Sequence, residues 1–171
     1  MPLFPQKSTK NQHFAVKRWY SRKEKRLFIM SKCKPVAVKY RKFKNGRPAV
    51  AMEFMPEWGE RLKNEEMVYF FKFFNDAEIL FNKIGTSKVD AISRLRDEIG
   101  DYSKNFHITR VEIHRVRSCF GIPAEGYESQ LRAKLIADYP TAFRKNDRFF
   151  GVDIDPCIFD EICDSFCALC H

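Results

Sequence analysis

The chain has 171 residues, of which 44% are hydrophobic and 15% aromatic, including 17 Phe. That is enough apolar material for a packed core, which excludes wholesale disorder. Lys plus Arg number 31 against 22 Asp plus Glu, a formal charge of +9. No stretch reaches the roughly 18 consecutive apolar residues that a spanning helix needs, so no membrane span is expected.

The charge is unevenly placed. Residues 1–50 hold 15 Lys/Arg and a single acid, Glu24, giving +14, while residues 51–171 hold 16 Lys/Arg and 21 acids, giving −5. Such a split points to a polyanionic partner for the basic end. Met1-Pro2-Leu3-Phe4-Pro5-Gln6-Lys7 lacks the apolar stretch of a signal peptide, so an intracellular chain with reduced cysteines is expected.

Residues 1–12, polar and carrying Pro2 and Pro5, read as a flexible basic arm before a single domain over 13–171. Segments 13–21 and 26–32 read as short strands around the charged turn 22–25. Val36, Val38 and Tyr40 then alternate with Ala37, Lys39 and Arg41, and Asn45-Gly46 leads into an apolar run over 49–55. Asn-Gly between two such runs predicts a β-hairpin, because both residues tolerate positive φ. Pro48 places its strand at a start or an edge. The alternation predicts Val36, Val38 and Tyr40 inward, with Lys39 and Arg41 toward solvent.

Beyond Pro56 the pattern changes. Asn64-Glu65-Glu66 reads as a helix start, and Val68, Phe71, Phe74, Ile79 and Phe81 give an apolar periodicity over 67–84 that predicts a helix stopped at Gly85. Thr86 or Ser87 would cap a second helix running to Ile99, with Gly100 as its stop. Residues 106–117 read as a strand, 128–138 as a short helix ended by Pro140, 149–154 as a buried strand and 159–170 as a terminal helix. The expected fold class is α+β: basic N-terminal antiparallel hairpins over 13–55, followed by a mostly helical remainder over 60–171 with one or two further strands.

A twisted sheet that displays cations and rings suits nucleic acid, since phosphates release counterions and bases stack on rings. The residues in this role are Lys17, Arg18, Trp19, Arg22, Lys23, Lys25, Arg26, Lys39, Arg41, Lys42, Lys44 and Arg47. Tyr40 and Phe43 are read as core rather than platform. The expected function is non-enzymatic binding of DNA or RNA. Small size with abundant Lys and Phe suits a phage or viral regulator of transcription, replication or translation. A protein partner for the acidic C-terminal part, or inhibition of a host enzyme through the basic face, is the alternative.

Two further patterns bear on chemistry. Asp153 and Asp155 share a face if their segment is a strand and could hold Mg²⁺ for a nuclease or nucleotidyl transferase. The pattern resembles the first metal motif of archaeo-eukaryotic-type primases over residues 151–156 only, and the further motifs do not follow. Cys163, Cys167, Cys170 and His171 could supply a tetrahedral zinc site, but on one helix they read first as packing groups. No cofactor is therefore expected, with zinc and magnesium as the alternatives. No Gly-rich phosphate loop or Ser/His/Asp arrangement is present.

Overall fold

A computed structural model describes residues 37–46, 48–54, 66–119 and 123–169. Seven strands form one mixed sheet: β1 (Ala37–Arg41), β2 (Val50–Phe54), β3 (Met67–Asn75), β4 (Glu78–Ser87), β5 (Arg110–Ser118), β6 (Phe143–Lys145) and β7 (Arg148–Phe150). Among the described residues three helices accompany them: α1 (Ala91–Tyr102), α2 (Ala124–Asp138) and α3 (Pro156–Leu169). The spatial order is β1-β2-β5-β3-β4-β7-β6. Only β2 and β5 are parallel, in register from Ala51↔Arg110 to Phe54↔Ile113; the other neighbours are antiparallel.

This corrects the expected mostly helical remainder. The segment predicted as a helix over 67–84 is the β3–β4 hairpin, turned at Asp76-Ala77 with Asp76 at φ 51°. Every residue from Met67 to Phe74 is buried. A central strand covered on both faces needs no polar alternation. Its apolar residues consequently fall at helix-like spacings by coincidence, and the aromatic run Tyr69-Phe70-Phe71 favours the extended state. The expected stop, Gly85, lies inside β4, where it faces Tyr69 across the ladder. The helix that follows is capped by Asp90, whose carboxylate accepts from the Ser93 amide at 3.0 Å, and not by Thr86 or Ser87. Segments 1–12, 13–21 and 26–32 lie outside the described residues. β1 and β2 pair antiparallel from Ala37↔Phe54 to Arg41↔Val50, with Gly46 at φ 74° in their connection.

The two faces of the sheet carry separate cores. On the first, α1 sets Ala91, Leu95 and Ile99 against Met52, Met67, Phe71, Phe73, Phe81, Val111 and Ile113. On the second, α2 and α3 set Tyr127, Leu131, Leu135, Phe159, Ile162 and Cys163 against Val68, Phe70, Ile84 and Phe149. Asp155 caps α3, accepting from the Cys157 amide at 2.9 Å, with Pro156 opening the helix. No helix among the described residues is long and apolar enough to cross a membrane.

Candidate nucleic-acid interface

Most described cations are already neutralised within the fold. On the second face Lys72 meets Asp153 at 2.5 Å, Arg115 meets Asp160 at 2.8 Å, and Arg117 reaches Asp160 and Asp164. Arg110 lies 3.0 Å from Glu112 and 3.7 Å from Glu53, and Glu112 also holds His114 Nε2 at 2.6 Å. On the first face Lys83, 1% exposed, sits between Glu98 at 3.4 Å and Asp147. Arg94 shares Glu98 at 2.7 Å. The Tyr69 hydroxyl donates to Glu98 and accepts from Arg94 Nε. Burial beside Glu98 pushes the hydroxyls of Tyr69 and Tyr102 far above the usual phenol range.

Lys39, Arg41, Lys42 and Lys44 differ. None has a carboxylate within ion-pair distance among the described residues, and Arg96, Arg144, Lys145 and Arg148 share that property. Four of these cations therefore fall together on the edge strand β1 and its loop. The strand is turned opposite to the sequence expectation. Lys39 aligns with buried Met52 and Arg41 with buried Val50, so both lie on the α1 face. Lys39 Nζ stands 5.7 Å from the centre of the Phe54 ring, and the Arg41 guanidinium lies over Gly100 of α1. Val38 and Tyr40, expected inside, are 48% and 69% exposed. At a sheet edge the long basic stems cover core, and the charged heads stay wet.

Beside this edge the segment between α1 and β5 completes a groove of about 390 Å³, lined by Phe43, Pro48, Lys104, Asn105, Phe106 and His107 among others. Amides of Asn105 and Phe106 both donate to the Tyr102 carbonyl at 2.9 Å, which fixes this loop. Phe106 lies 5.2 Å from Phe81 and 6.1 Å from Phe150, and Phe150 lies 5.6 Å from the exposed Phe143 of β6. Arg148 stands among these rings, 4.8 Å from Tyr102. A line of rings with interspersed cations thus runs across the first face.

The remaining sequence-based candidates divide as follows. Lys17, Arg18, Trp19, Arg22, Lys23, Lys25, Arg26 and Arg47 lie outside the described residues, as do Cys170, His171 and the side chain of Cys167. Asp153 is engaged by Lys72 and Asp155 caps α3, so the two carboxylates serve different partners. Cys163 packs in the second core, where burial pushes its thiol up to about 12. Among the described residues no group of three His, Cys, Asp or Glu is placed to hold a metal ion. Lys104 and Phe106 escaped sequence reasoning because only the topology brings them to the groove with Phe43, and Phe143 and Phe150 because only the β6–β7 pairing sets them in the ring series that reaches Phe106. Comparison with known proteins finds no matching family, no matching curated protein and no matching solved structure.

Proposed function

We propose that the protein binds nucleic acid and acts by occupying it. The observation that carries this reading is the contrast in charge pairing. Ten of the described cations have carboxylate partners, whereas Lys39, Arg41, Lys42 and Lys44 have none among the described residues and gather at one edge beside partly buried rings. Unneutralised lysines and arginines are where phosphates displace counterions. The rings beside them supply stacking surface. A further ten Lys/Arg against one acid in residues 1–36 support the same partner.

The test is a binding titration of the full chain against short DNA and RNA at several salt concentrations. Affinity should fall by at least roughly tenfold between about 50 and 200 mM salt. Replacing Lys42 and Lys44 together with Ala should weaken binding for all sequences and reduce the salt slope by about 1.5. Absence of binding to either polymer at low salt overturns the proposal.

A further inference from the structure

Resting on the nucleic-acid reading, we propose that the groove between Phe43, Pro48 and the 103–108 loop receives unpaired bases, so that the ligand is single-stranded. Three observations converge on it. The groove has apolar walls, Phe43 and Phe106, whose rings pack against the first core and are held in place from behind. Rings at the wall of a groove are stacking surface, and stacking accepts any base because each has a π-face.

The rim is polar. Exposed Asn105 and His107 border the groove and can meet base edges. The phosphate side is provided for separately. Exposed Lys42 and Lys44 flank Phe43 in the chain, and Lys104 follows Ser103 at the opposite wall. Asp101, 3.5 Å from Lys104, is the one described carboxylate that pairs with any of these cations. A cationic margin around a ring-walled slot fits a polyanion with aromatic groups to insert. Duplex DNA or RNA offers the phosphates but keeps its base faces stacked inside, leaving the slot unused.

The experiment compares three ligands of one length by fluorescence anisotropy, an intact single strand, its duplex and the same strand with abasic sites, and titrates the intact and abasic strands against Phe106→Leu and Phe106→Tyr proteins as well. The intact strand should bind at least roughly fivefold more tightly than the abasic strand and the duplex. Phe106→Leu should lose that advantage while its affinity for the abasic strand stays unchanged, and Phe106→Tyr should restore it. Circular dichroism of each variant separates loss of the ring from loss of the fold. Equal affinity for intact, abasic and duplex ligands with the salt dependence preserved overturns the groove assignment and leaves the broader reading standing. No binding to any of them overturns both.

Discussion

Lys83 is a charged group almost wholly withdrawn from water, and the fold holds it by giving it two carboxylates and the face of Tyr69, 5.8 Å away. Removing Glu98 leaves Lys83 with Asp147 alone and takes the shared carboxylate from Arg94 and the Tyr69 hydroxyl, and breaking such a buried network costs up to about 3–5 kcal/mol. Glu98→Ala should therefore lower stability by that amount in a denaturant titration, and more than Asp147→Ala, since Asp147 is the more solvated carboxylate. Gly85 belongs to the same arrangement. A Cβ there would stand 2.4 Å from the Tyr69 hydroxyl oxygen, so Gly85→Ala must push that hydroxyl off Glu98. The expected loss is about 1–3 kcal/mol, read in the same titration. His114 gives a pH dependence. Burial lowers its pKa, with Lys72 and Arg115 adding to the effect and Glu112 opposing it. A folded-state pKa below the unfolded value of about 6.5 means that the unfolded chain takes up the proton first. Stability from this group is complete above pH 6.5 or so and declines as pH falls toward the folded value. Thermal melts between about pH 7 and 5 should show that decline, and His114→Gln should reduce it. Cys119 and Cys163 extend the contrast: burial raises their thiols to about 11 and about 12, so alkylation mapped by mass spectrometry at neutral pH should spare both until denaturant is added.

At the scale of elements, legibility followed the environment of each strand. β5 was readable because apolar Val111 and Ile113 alternate with polar Arg110, Glu112 and His114, and α3 because one of its sides is wet; each writes a period into the sequence. Between β1 and β2 the sequence marked a reversal, but of Asn45-Gly46 only Gly46 takes a positive φ, and the connection runs from 42 to 49 instead of forming a two-residue turn. β3 was not, since both of its faces are buried and Val68, Phe71 and Phe74 then imitate a helical stripe. The facing of β1 was lost for a different reason. Edge strands are partly solvated on both sides, so Tyr40 can be exposed and Lys39 can lie along Phe54. The groove could not be read from sequence, because Phe43 and Phe106 are neighbours only through the insertion of β5 between β2 and β3. The same order predicts a gradient of protection. β3 has paired neighbours on both sides over nearly its whole length, whereas among the described strands β1 contacts β2 alone, and β2 is joined onward by four parallel pairs. Amide hydrogen exchange should be slowest in β3, β4 and β5 and faster in β1 and β2.

For the whole molecule, two populations of charge answer to salt differently. The pairs around Lys83, Lys72 and Arg115 have side chains between 2% and 13% exposed on the cationic side, where screening is weak. Lys42 and Lys44 are exposed and have no carboxylate partner among the described residues, so their attraction for anions is open to competition by salt. On the proposed function, adding salt should weaken nucleic-acid binding while moving the melting temperature by no more than a few degrees. Calorimetry and a binding titration on one sample, across the same salt series, check both halves of that statement. The strand order carries a last consequence for synthesis. β2 can pair with β1 early but finds its second neighbour only when residues 110–113 have been made. On a ribosome, Phe43 and its lysines emerge well before Phe106 exists, and they wait on the β1–β2 pair alone until translation delivers the strand that docks it. A nascent chain arrested just short of Arg110 should accordingly carry the cations without the slot.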